Sequence, residues 1–119
     1  MEGRWENGFF AAGNQPAGYV ARLHNGVQTI ENIDAPITLN STDTVYLVFY
    51  GSGIGSAANV TATLGATTTT VAYAGPQGTY SGLDQYNILV PNSLAGQGPT
   101  PLAVTVANRQ SNTLTVTFQ

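Results

Sequence analysis

The chain has 119 residues, with six acidic and three basic side chains, a net charge of −3 and no cysteine. That length is one domain able to bury its own core, and the missing cysteine excludes disulfides, thiolate metal sites and a cysteine nucleophile. Basic residues are limited to Arg4, Arg22 and Arg109, which excludes the cationic footprint that nucleic acid or an anionic membrane surface requires. Charged residues are only 8% of the chain and hydrophobic ones 42%, a folded rather than a disordered balance.

Residues 1–18 read as an N-terminal arm. Trp5, Phe9 and Phe10 stand among Gly, Asn and Ala without alternation. The expectation is that this arm packs on its own domain or on a neighbouring copy. Met1 to Glu6 lacks an apolar signal-peptide core, so the chain reads as a piece of a larger exported protein or one exported by another route. No apolar run approaches the ~20 residues of a membrane-spanning helix.

From residue 19 onward no window carries a helical period. Short alternating runs separated by Gly, Pro and Asn dominate. Tyr19 to His24 and Val27 to Ile33 flank Asn25-Gly26, a strong two-residue hairpin signal. Such a turn pairs His24 with Val27, Arg22 with Thr29 and Ala21 with Ile30. Tyr19, Ala21, Leu23 and Ile30 then share one face, taken as inward. Arg22, Thr29 and Glu31 share the other, with an exposed Arg–Glu pair. Thr44 to Tyr50 is apolar on both faces, which predicts a central strand covered on both sides. Asn59 to Leu64 and Thr67 to Ala74 meet at Gly65-Ala66, with Val71 and Tyr73 inward. Asp84 to Val90 places Tyr86, Ile88 and Val90 on one face. The last hairpin joins Leu102–Ala107 to Asn112–Phe118, with Thr on its outer side. About seven strands at this spacing predict an all-β, immunoglobulin-like, two-sheet antiparallel sandwich over residues 19–119.

Three segments carry a family pattern: Tyr73-Ala74-Gly75-Pro76-Gln77, Gly82-Leu83-Asp84-Gln85-Tyr86-Asn87, and Pro91 to Gly98 with Leu94-Ala95-Gly96. With Val45 to Ile54, Ser111 to Thr113 and the Gly18 to Ile33 hairpin, they resemble the C-terminal domain repeated in large exported proteins of Solibacter and other Acidobacteria. That resemblance implies an immunoglobulin-like fold and an extracellular or cell-surface setting, and no catalytic residues. In this chain the family's Gly-Thr-Gly-Ile-Arg is Gly51-Ser52-Gly53-Ile54-Gly55, which removes a cation. The chain resembles the latter half of the family region.

Chemistry is sparse. The glycines at 51, 53 and 55 lack the G-x-G-x-x-G spacing and precede a strand, whereas phosphate cradling uses a helix N-terminus. His24 is the only histidine, beside a turn, with no marked serine partner. The acids are scattered and show no calcium-loop spacing. No catalytic, cofactor or metal residue is expected. Gly75, Pro76, Asp84, Gln85, Asn87 and Pro91 read as turn residues that shape loops, with Asp84 and Asn87 bonding the backbone of the Gly75 to Gly82 loop. Tyr19, Tyr46, Tyr73 and Tyr86 fall on inferred core faces. Trp5, Phe9, Phe10 and Tyr80 are then the aromatics expected to touch a partner: another copy, an adjacent domain or a glycan.

Overall fold

Strands form here where Val, Ile, Thr and aromatics alternate with small or polar residues, and Gly, Asn or Pro ends each run. The computed structural model describes residues 8–9, 11–12, 15–52, 59–79, 82–110 and 113–119. In chain order the strands are β1 (Gly8–Phe9), β2 (Ala11–Ala12), β3 (Gln15–Pro16), β4 (Gly18–His24), β5 (Val27–Asn32), β6 (Thr44–Ser52) and β7 (Val60–Leu64). They continue as β8 (Thr67–Thr69), β9 (Val71–Pro76), β10 (Asp84–Val90), β11 (Gly98–Val106), β12 (Arg109–Gln110) and β13 (Leu114–Phe118). A single 3-10 turn, Asn92–Leu94, follows β10.

The first sheet has the order β5-β4-β6-β10-β9, with β1 extending it beside the end of β6. In the second, β7 joins β8 to β11, and β12 and β13 pair along the other edge of β11. All these pairings are antiparallel, and the sheets form a β-sandwich. The core lies between them. Val45, Leu47 and Phe49 of β6 and Ile88 of β10 meet Leu64, Leu102, Val104, Val116 and Phe118 of the second sheet, all essentially inaccessible to solvent. Burying each such side chain stabilises the fold by roughly 1.5–3 kcal/mol. Tyr86 joins them, stacked on Phe49 at 5.3 Å between ring centroids and 9° between planes. Burial, then the nearby Asp84 carboxylate, pushes its phenol pKa above the ordinary value.

The predicted strand Thr67 to Ala74 is divided at Thr70. β8 belongs to the second sheet and β9 to the first, so the threonine run is where the chain changes sheets. The crossing is pinned to β10: Leu89 N–H donates to Thr70 O at 2.9 Å, and Thr69 Oγ1 donates to Leu89 O. The final hairpin is also more elaborate than predicted. A turn at Ala107-Asn108, both at positive φ, leads β11 into β12 before β13 returns. The residues that alternate with its outward threonines, Leu102, Val104, Val106, Leu114, Val116 and Phe118, are all buried.

The first hairpin has the predicted turn and register. Asn25 and Gly26 both have positive φ, and His24, Arg22 and Ala21 oppose Val27, Thr29 and Ile30. Its orientation is the reverse of the expectation. Val20 lies opposite Leu47 and Arg22 opposite Val45, so the even positions of β4 face inward. Tyr19, Ala21, Leu23 and Ile30 are on the outer face. The hairpin carries apolar residues on both sides, so its own alternation does not decide the matter; β6 decides it. Tyr73 is displaced by a different cause. The register shifts between Asn87↔Tyr73 and Ile88↔Val71, leaving Ala72 as an extra residue. This bulge turns Tyr73 outward while Val71 and Ala74 pack on the core.

Candidate binding face

The outer face of the first sheet differs from the rest of the surface in composition and burial. Register places Gln28 and Ile30 of β5 beside Leu23 and Ala21 of β4. It places Tyr19 beside Val48, and Ala21 beside Tyr46. It then places Leu89 beside Tyr46 and Asn87 beside Val48. No described residue on this face is charged. Leu23, Ile30 and Tyr73 are 40%, 57% and 43% exposed there. The corresponding face of the second sheet is different in kind: Thr61, Thr63, Thr105, Thr115 and Thr117 alternate with the buried residues of β7, β11 and β13. The expectation that β6 is covered on both sides is thus corrected. Its inner face is buried; on its outer face Val48 is buried among its neighbours, and Tyr46 and Tyr50 are partly open.

A depression of about 250 Å³ lies in this face. Ala21, Val48 and Ala72 contribute small or branched apolar groups, and Tyr19 and Tyr46 contribute phenols. Gln28 and Asn87 contribute amides. Gln85 Nε2 donates to Asn87 Oδ1 at 2.9 Å, which leaves the Asn87 amide N–H groups for a ligand. Beside it, burial and then neighbouring Tyr19 raise the pKa of Tyr50.

Several of the motif residues lie in strands and not in turns. Gly75 and Pro76 are not in a turn but close β9, opposite Gln85 and Asp84 of β10. Extended backbone suits them there. The ring of Tyr73 folds over Gly75, its Oη donating to Pro76 O at 2.6 Å, and a Cβ on Gly75 would lie 3.1 Å from the Tyr73 Oη. Pro76 sits on an edge strand, where a missing N–H is tolerated. Asp84 is buried, and Gln85 and Asn87 face outward in β10. The Asn87 side chain bonds Gln85 rather than the loop. Gln77 also holds that loop: its N–H donates to Leu83 O at 2.9 Å, and its Oε1 accepts from Thr79 N at 2.8 Å. Pro91 alone shapes a turn, as the residue before the 3-10 segment, its carbonyl accepting from Leu94 N at 3.1 Å. The backbone of Phe9 pairs with Gly51 of its own chain. Trp5, Phe10, Tyr80 and the Gly53 to Ser56 stretch lie outside the described residues.

A polar cluster stands apart, on the inner side of the hairpin. The Arg22 side chain, 12% exposed, donates to Glu31 Oε2 at 2.5 Å, to Asp43 Oδ2 at 2.9 Å and to Thr38 O at 2.6 Å. The bond to Glu31 is the main reason its pKa rises. Asp43, whose side chain is 8% exposed, also meets His24 Nδ1 and Thr42 Oγ1. Bonding first to His24, and also to Arg22, Asn40 and Thr42, holds its carboxyl far below the usual carboxylate range despite desolvation. The second ring nitrogen of His24 meets the Asn25 amide at 3.3 Å. The geometry is that of a latch between hairpin and turn. The predicted Arg22–Glu31 pair is present, but as part of this cluster and on the opposite face from the one inferred.

Tyr19, Tyr46 and Gln28 stand together on this outer face, whereas alternation alone places the two tyrosines in the core. The signal was present in β6: Tyr46, Val48 and Tyr50 are too apolar for an ordinary wetted face. No family model, curated protein or solved structure matches this chain.

Proposed function

We propose that the chain is a non-enzymatic, immunoglobulin-like module of an extracellular or cell-surface protein, which acts by presenting a rigid, uncharged sheet face. The observation that carries this reading is the contrast between the two outer faces. One is a threonine surface of the kind that remains in water. The other combines exposed Leu23 and Ile30 with half-buried tyrosines and amides and carries no charge. Exposed apolar side chains grouped on one uncharged face suit a contact surface. The motif resemblance at Tyr73 to Gly98 supports the exported setting. Exposure on intact cells tests that setting: a tag beside the domain in its parent protein is expected to be cut by added protease without lysis. Protection until lysis would overturn it.

The depression favours a second reading, a carbohydrate-binding module. A neutral sugar offers apolar C–H faces with hydroxyls at its rim, which the paired phenols and the Gln28 and Asn87 amides complement. Retention on neutral insoluble polysaccharide, lost on Asn87→Ala with folding unchanged, is the expected result of this reading. An absence of retention across neutral polysaccharides leaves the scaffold role alone.

A further inference from the structure

Sheet edges offer unpaired N–H and C=O groups, and proteins usually guard them. Among the described strands β12 is only two residues long, and three other edges are guarded. Strand β9 carries a bulge and ends in Pro76. Strand β8 is only three residues long. The outer edge of β13 is covered by the segment at Ile37, whose N–H donates to Thr117 O at 2.8 Å and whose carbonyl accepts from Gln119 N at 2.9 Å. Strand β5 is the exception. It is six residues long, pairs only with β4 among the described residues, and contains neither Pro nor Lys. Val27 on one side is 62% exposed and Ile30 on the other 57%, so neither layer of the sandwich blocks an approach.

The register says which groups are free. The two-residue turn makes His24–Val27 a hydrogen-bonded pair, and with it Arg22–Thr29 and Val20–Glu31. The N–H and C=O of Gln28 and Ile30 therefore point away from β4. We propose that β5 pairs antiparallel with β5 of a second copy about a two-fold axis at Thr29, joining the two first sheets into one. Gln28 of each copy then lies opposite Ile30 of the other, each pair exchanging both of its N–H···O=C bonds. The arrangement uses the free groups of both residues once. Thr29 faces Thr29, and the two Ile30 side chains approach diagonally on the outer face. Glu31 of one copy falls opposite Val27 of the other, not opposite its own counterpart, and its carboxylate is already held by Arg22. No like charges meet. This self-complementarity of hydrogen bonds and charge is what selects a second copy as the occupant.

The test is register-specific because the chain has no cysteine of its own. Facing Thr29 residues occupy a non-hydrogen-bonded pair, with Cα atoms roughly 4.5 Å apart, within reach of a disulfide. Under mild oxidation Thr29→Cys is expected to form a covalent dimer many-fold faster than Thr68→Cys, an exposed control on the other sheet. Equal rates would overturn the proposal. Light scattering on the unmodified full chain, from micromolar to submillimolar, is expected to show mass rising toward that of a dimer. Ile30→Pro removes a free N–H without touching the β4 ladder, and Ile30→Lys adds a charge at the edge; both are expected to hold the mass at that of a monomer. A monomer at every concentration of the unmodified chain, or a dimer that survives both Ile30 variants, would overturn it.

Discussion

Gly18 shows how one residue sets the placement of a whole strand. It opens β4 opposite Phe49, where a Cβ would stand 2.0 Å from Val48 O and 2.6 Å from Phe49 Cα. Both obstacles are backbone or backbone-anchored and cannot swing aside. Gly18→Ala must therefore push β4 from β6 or distort it, and overpacking of this kind costs about 1–3 kcal/mol or more. The expected outcome is a clear fall in the urea midpoint, whereas Gly26→Ala, with open space around it, is strained only by its positive φ. A Gly18→Ala variant as stable as the parent would contradict the close approach. Sequence alone shows that Gly26 belongs to a turn, because Asn-Gly is a local signal. It does not show why Gly18 is a glycine, since the atoms that demand it are some thirty residues away in β6. The same limit explains Gly75: the demand comes from the Tyr73 phenol reaching back to Pro76.

At the scale of elements, strand existence and register were legible, and facing was not always. The periods of β10, β11 and β13 have one clearly heavier side, and their inward residues follow from it; β6 is apolar on both faces, and its period alone does not say which side is the core. The β4–β5 hairpin has Val20 on one side and Tyr19, Ala21, Leu23 and Ile30 on the other, so counting apolar residues picks the wrong face. The correct one is fixed by pairing with β6 and by the Arg22 cluster on the inner side. That cluster has a pH consequence. The folded-state pKa of Asp43 is depressed, so the unfolded chain takes up the proton first as pH falls. Its stabilising contribution is complete above the unfolded value near pH ~3.9 and is lost as the pH drops below it toward the folded value. The thermal midpoint is expected to fall between about pH 5 and pH 2, and Asp43→Asn to flatten that fall while lowering the midpoint at neutral pH. An unchanged acid limb in Asp43→Asn would show that the latch to His24 and Arg22 does not contribute.

For the molecule as a whole, the two sheets are parts of one cooperative unit. The described core residues between the sheets form a single cluster that draws on both, and the chain passes between them at Thr70, pinned to β10. Neither sheet retains a buried face without the other. The candidate surface is a by-product of the same construction: once Val45, Leu47 and Phe49 are committed to the core, Tyr46 and Val48 must face out, and neighbouring strands align Tyr19 and Asn87 beside them. That consequence is why the site was unreadable until the strands were ordered. Cooperativity is checked by replacing a core residue at a distance from that face. Phe118 is buried on β13, in the opposite layer. Phe118→Ala removes a large side chain and should cost about 3–5 kcal/mol, a large share of the ~5–15 kcal/mol that holds a domain together. Far-ultraviolet dichroism and tyrosine fluorescence should then shift to lower urea by the same amount, with an unchanged slope. If one probe moved and the other did not, the sheets would be unfolding separately, and the face of the first sheet would not depend on the second for its rigidity.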